Sequence, residues 1–126
     1  MILVDTSVII DFWHKPDKRT EQIIRTEDVC VCGIIKSELI HGAKSHSDIS
    51  KIKEALQVFE YLEINEQVWE TLGNLLMLLR GKGVSVPFQD AAIAAVAIEY
   101  GLELWTNDKH YQMIADVIPD LILFRP

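Results

Sequence analysis

Apolar residues alternate along this chain between short continuous runs and longer stretches at helical spacing. Met1 to Asp5, with Ile2, Leu3 and Val4 closed by an acid, reads as a short strand. Thr6 or Ser7 is placed to cap a following helix that carries Val8, Ile9, Phe12 and Trp13. Pro16 and Asp17 start a second short helix with Ile23 and Ile24 on one side. Val29 to Cys32 is continuously apolar, as expected of a parallel strand covered on both faces. Ile34 to Ala43 is predicted helical, and Ser47 or Asp48 opens a helix bearing Ile52, Ala55, Leu56 and Phe59. Tyr61 to Ile64 is the third strand, after which Asn65 can cap a long helix. There Val68, Leu72, Leu75, Leu76 and Leu79 recur at helical spacing, with Trp69, Met77 and Leu78 widening the stripe. Gly81 and Gly83 end it. Pro87 suits the start, and Gly101 the stop, of a helix over Phe88 to Tyr100. Leu102 to Thr106 is the fourth strand, Asn107 can cap a short helix to about Ala115, and Leu121 to Phe124 makes a fifth strand. This alternation predicts an α/β fold with a mostly parallel sheet between helices. Right-handed crossovers would bring the strand ends to one edge.

With 126 residues the chain has room for one domain, 1–126, and one adequate core. A content of 49% hydrophobic and 25% charged residues is that of an ordinary globular protein. The opening residues lack a basic n-region, and the longest apolar stretch, Ala91 to Ile98, is less than half a membrane span. A cytoplasmic protein without membrane attachment is expected. Cys30 and Cys32 alternate with Val29 and Val31 and share one face of a strand, a poor geometry for a disulfide. They read as small core hydrophobes.

The net charge of −7 argues against a broad basic nucleic-acid surface. It leaves room for a local basic rim, with Lys15, Lys18, Arg19, Lys36, Lys44, Lys82 and Lys109 as candidates, each read individually as solvated surface. The charge matters more where it is concentrated. Asp5, Glu38, Asp90 and Asp108 all fall at strand ends or helix entries, and ligands of open α/β sheets bind beyond the carboxyl ends of strands. Four acids converging without an evident basic partner call for a hard divalent cation. Asp5 and Asp90 are expected as the principal metal ligands, with Glu38 and Asp108 supporting. Ser7 and Thr106 read as structural hydroxyls that can also hold a metal-bound water. His14, His41, His46 and His110 lack zinc-site spacing. Of these only His110, close to Asp108, is placed to touch substrate, and the favoured reading of it is a plain surface residue. No glycine-rich phosphate loop appears.

Four segments carry a family resemblance: Ile2-Leu3-Val4-Asp5-Thr6-Ser7, Ser37-Glu38-Leu39-Ile40-His41-Gly42, Gln89-Asp90-Ala91-Ala92-Ile93-Ala94 and Leu104-Trp105-Thr106-Asn107-Asp108. In their order and spacing the chain resembles PIN-domain ribonucleases, specifically the VapC-type toxins of bacterial and archaeal VapBC toxin–antitoxin pairs. The resemblance implies a PIN-like three-layer α/β/α sandwich with about five strands. It also implies an endoribonuclease that cuts single-stranded RNA with Mg²⁺, or Mn²⁺ in its place, and leaves a 5′-phosphate and a 3′-hydroxyl. A homodimer is implied too, along with a cognate antitoxin lying in a groove near the acids. Metal ions suit the chemistry, because they activate water, clamp nonbridging oxygens and relieve the departing oxyanion. The alternatives are a noncatalytic PIN-like binding or scaffold module and a phosphatase-like hydrolase with Asp5 as nucleophile. The first would be favoured by loss of an acid, and all four are present. The second usually wants an acid two residues on, where Ser7 stands.

The surplus of apolar residues in the helix around Val68 to Leu79, with Phe12 and Trp13, is expected to form interface. An acidic pocket also suits an arginine from the antitoxin, whose guanidinium pairs bidentately with carboxylate.

Overall fold

Five short strands and seven helices, described over residues 1–126 by a computed structural model, follow the rhythm of the sequence. In chain order they are β1 (Ile2–Val4), α1 (Thr6–His14), α2 (Lys18–Thr26), β2 (Val29–Cys32), α3 (Gly33–His41) and α4 (His46–Ala55). A single 3₁₀ turn, Leu56–Val58, leads into β3 (Glu60–Leu62). Then come α5 (Glu66–Gly81), α6 (Phe88–Tyr100), β4 (Glu103–Trp105), α7 (His110–Val117) and β5 (Ile122–Leu123).

All neighbouring strands pair in parallel, in the order β3-β2-β1-β4-β5. The sheet is therefore wholly parallel. From the central β1 the chain winds outward to β2 and β3, then crosses back to β4 and β5. The winding reverses between β1 and β4, which is where such sheets open a ligand crevice at their carboxyl ends. Register makes the opening specific. Val4 lies opposite Trp105, so the chain leaves both strands at the same level, with Asp5 on one side and Thr106 on the other. The Asp5 N–H still donates to the Trp105 carbonyl at 2.9 Å.

Every residue of β1 and β2 is buried, which requires cover on both faces. Among the helices α1, α3 and α4 pack in series, and α5, α6 and α7 form a second group that meets the first where α3 touches α6. Ala91 to Ala97 of α6 are buried without interruption. A helix apolar all round must be enclosed, and its alanines allow close approach by its neighbours. Gly101, at φ +67°, stops α6 in the left-handed conformation that glycine adopts without penalty. Cys30 and Cys32 are free and fully buried. Burial pushes the Cys30 thiol up to about 12 and raises that of Cys32, so both remain protonated core groups.

The caps divide between expectation and correction. Asn65 Oδ1 accepts from the Val68 N–H, and Asp17 Oδ1 from that of Thr20, as the sequence suggests. Neither Thr6 nor Ser7 caps α1; Asp5 occupies the N-cap position, without a side-chain capping bond. The fourth helix starts earlier than Ser47 or Asp48, because Ser45 Oγ accepts from the Asp48 N–H. Asn107 is not the cap of α7, which begins at His110. Its side-chain amide instead donates to Asp11 Oδ2 at 2.8 Å and ties the loop after β4 to α1.

Candidate active site

Asp5 is the one polar or charged residue among the buried set, only 4% exposed. The Ser7 and Thr106 hydroxyls both donate to its Oδ2, each at 2.7 Å. The same hydroxyls accept backbone N–H groups from the β4–α7 loop, that of Asn107 onto Ser7 and that of Asp108 onto Thr106, each at 3.0 Å. With their protons committed to Asp5, the two hydroxyls touch at 3.3 Å without bonding each other. The network fixes the start of α1 against the loop that carries Asp108. Asp5 Oδ1 has no protein partner, and no buried side-chain oxygen is left unsatisfied, so this oxygen faces the opening.

Glu38 reaches the same place from α3, held there by Ile35 and Leu39, which α3 buries. Thr6 Oγ1 donates to Glu38 Oε1 at 2.9 Å, leaving Oε2 without a protein partner. Burial raises the pKa of Glu38. The Thr6 hydrogen bond opposes that, and the charges of Asp5, Asp90 and Asp108 add to the rise.

Asp90 enters from the first turn of α6. Its Oδ2 lies 3.2 Å from His110 Nδ1, and its Oδ1 accepts from the buried Tyr111 hydroxyl at 3.5 Å. Its pKa is raised, chiefly by burial, with Asp108 and Asp5 reinforcing the shift and His110 opposing it. Asp108 Oδ1 accepts the His110 backbone N–H at 2.9 Å and lies 3.4 Å from His110 Nδ1. The Tyr111 hydroxyl is itself pushed up by burial and by the surrounding acids, so it stays a donor.

The fold thus gathers all four acids singled out in the sequence, each within electrostatic reach of the others. Ser7 and Thr106 belong to the site, as supports of Asp5. Three residues take parts that the sequence did not reveal: Thr6 on Glu38, Tyr111 on Asp90, and His110 between Asp90 and Asp108. His110 is exposed, as expected, and in addition contacts Asp90 and Asp108. Its proximity to Asp108 in the chain was the available signal, but its contact with Asp90 exists only once α6 and α7 pack. Of the candidate rim, Lys109 is exposed beside Asp108, whereas Lys36 lies over the Tyr61 ring, 5.6 Å from its centre.

The donor set fits a divalent cation. Ligand atoms of Asp90, Asp108 and His110 all lie within 4.8 Å of one another, and Asp5 Oδ1 is free of protein partners. Clustered carboxylates whose charged forms are destabilised would gain from such an ion. Next to Glu38 a groove of about 570 Å³ runs between α1, α3 and α4, lined by Ile10, Trp13, Leu39 and Ile52 among others.

Residues 2–117 match the PIN domain. Ribonuclease VapC1 of Methanocaldococcus jannaschii is 30% identical over 116 residues, spanning 91% of this chain and 82% of that protein. The DNA-bound VapBC structure from Salmonella typhimurium superposes with a TM-score of 0.86 at 23% identity, covering 98% of this chain and 96% of the other. VapBC-1 from nontypeable Haemophilus influenzae gives 0.84 at 24% identity, covering 98% and 97%. At these identities the two superpositions speak to the fold.

Proposed function

The chain belongs to the PIN-domain family, alongside the VapC ribonucleases, and from that premise we propose that it is a metal-dependent endoribonuclease toxin. Its substrate is single-stranded RNA, and a cognate antitoxin holds it inactive. The observation that carries the reading is the convergence of Asp5, Glu38, Asp90 and Asp108 at the β1–β4 switch point, with a donor set suited to a divalent cation.

Asp5 and Asp90 would be the principal holders of the ion, Mg²⁺ or Mn²⁺, with Glu38 and Asp108 supporting; the closeness of the Asp90 and Asp108 ligand atoms supports this reading. The bound ion would supply positive charge to polarise the phosphodiester and the attacking water. The protein's own groups do the rest. Ser7 and Thr106 keep Asp5 in one rotamer and anchor the Asp108 loop. Glu38, with Oε1 occupied by Thr6, presents Oε2 to accept a proton from water, and its raised pKa suits a general base. Tyr111 and His110 orient Asp90.

The groove beside Glu38 supports the antitoxin part of the proposal. Ile10, Trp13, Leu39 and Ile52 offer an apolar seat for one face of an amphipathic segment, and Glu38 awaits a basic side chain at its margin. An arginine there would pair with carboxylates and compete with the ion. The homodimer belongs to the proposal as well. Its support is that Trp69, Met77 and Leu78 of α5 are each half or more exposed, on the sides of the helix left open by its buried stripe.

Expression in a bacterial host without a partner tests the proposal. Wild-type protein should arrest growth, the Asp5→Asn variant should be tolerated, and co-expression of the antitoxin should restore growth. Equal toxicity of wild type and Asp5→Asn would place the effect outside this site.

A further inference from the structure

His110 stands where the ribonuclease reading gives it no task beyond orienting Asp90, yet its geometry is that of a ligand. Its Nδ1 lies 3.2 Å from Asp90 Oδ2 and 3.4 Å from Asp108 Oδ1. The second distance is long for a hydrogen bond between these groups, and one ring proton cannot point along both lines at once. A cation shared by the three groups would satisfy both. Octahedral ligands at about 2.1 Å from their ion stand about 3 Å apart along an edge and about 4.2 Å across. The two His110 distances lie near such an edge, and all three ligand atoms fall within 4.8 Å of one another. The ring is also steered into place. The His110 backbone N–H donates to Asp108 Oδ1, which sets the first turn of α7 against the Asp108 carboxylate. Half of the side chain remains open to solvent, so Nδ1 can exchange a proton for a metal without disturbing the core.

We propose that His110 is a metal ligand through Nδ1, joining Asp90 and Asp108 in a mixed imidazole–carboxylate donor set that favours Mn²⁺ over Mg²⁺. The inference rests on the metal-dependent reading of the site and makes it more specific. An all-oxygen set suits Mg²⁺, a hard ion that releases its waters reluctantly. A nitrogen donor contributes more to first-row transition ions, so its presence tilts selection away from Mg²⁺. The bond is formed by the Nδ1 lone pair, and any proton on that nitrogen leaves to solvent as the ion enters.

Purified full-length wild type, His110→Gln and His110→Asn would be titrated with Mn²⁺ and with Mg²⁺ by calorimetry. Circular dichroism would verify their folding, and Mn²⁺-loaded samples would be examined by pulsed electron paramagnetic resonance. Wild type should show a directly coordinated nitrogen that both variants lack. Mn²⁺ affinity should fall about tenfold or more in the variants, with Mg²⁺ affinity falling much less. The Asn variant keeps a polar atom near the Nδ1 position, so the comparison survives if the Gln protein fails to fold. Absence of the nitrogen signal in Mn²⁺-loaded wild type would overturn the proposal. So would equal losses for the two ions, or tighter Mn²⁺ binding without the imidazole, which would make His110 a competing cation. If wild type binds neither ion at millimolar concentration, the metal reading of the whole site falls. If it binds both and only the nitrogen is missing, the inference about His110 fails alone.

Discussion

Asp5 accepts two hydroxyl protons on one oxygen and keeps the other for the opening, an arrangement that holds a carboxylate in place without neutralising it. Replacing it with asparagine retains the shape and removes the charge. Asp5→Asn and Asp90→Asn should each lower RNA cleavage by about 100-fold or more while the fold survives, as circular dichroism and turnover assays would show. Stability should respond in the opposite direction. The pKa of Asp90 is raised in the folded protein, so its contribution is complete below the ordinary carboxylate value of about 4 and is lost as pH rises through the raised value. Without metal, the melting temperature of Asp90→Asn should therefore exceed that of wild type, by a margin that grows as pH rises from about 4 and shrinks when divalent ions are added. A margin independent of pH would contradict the burial and crowding assigned to Asp90. Thr6→Val should shift the acidic limb of the pH–rate profile upward, since it removes the bond that favours ionised Glu38. The four acids were legible from the sequence because each sits at a strand end or helix entry. Thr6, Tyr111 and His110 were not, because their partners lie 20 to 32 positions away along the chain and meet only after packing.

At the scale of the element, periodicity and cap chemistry located nearly every helix and strand. Asn65 is the clearest cap, and Asn65→Ala should cost about 1 kcal/mol in denaturant unfolding with metal affinity unchanged. The misread ends share one cause. Serine, threonine, asparagine and aspartate serve helix caps and functional sites equally well, and sequence spacing does not say which. Thr6 and Ser7 serve carboxylates rather than α1, and Asn107 serves Asp11 rather than α7. Near α4 three capping residues, Ser45, Ser47 and Asp48, fall within four positions. There Ser45 takes the Asp48 N–H, while the Asp48 carboxylate accepts that of Lys44. With its buried run Ala91 to Ala97, α6 posed no such ambiguity, since Pro87 and Gly101 mark its limits.

For the molecule as a whole, strand order decides where chemistry can occur. The sequence predicted a mostly parallel sheet with its acids along one edge, and the order β3-β2-β1-β4-β5 concentrates them at a single mouth. The apolar excess of α5 was equally legible, and Val68, Leu72, Leu75 and Leu79 take its buried share while Trp69, Met77 and Leu78 remain outside. Light scattering should give a dimer mass for the free protein and a monomer for Trp69→Glu/Leu78→Glu; a monomeric wild type at micromolar concentration would count against that interface. The groove between α1, α3 and α4 was not legible as a shape, because three helices contribute to it. Trp13→Glu should weaken antitoxin binding about tenfold or more and leave RNA cleavage intact. The most direct test of the central claim is cleavage of single-stranded RNA by the purified, antitoxin-free protein with Mn²⁺ or Mg²⁺ and with chelator. The account predicts cleavage with either ion, none in EDTA, and a loss of about 100-fold or more with Asp90→Asn under every condition. Robust cleavage in chelator, or wild-type cleavage by Asp90→Asn, would contradict it.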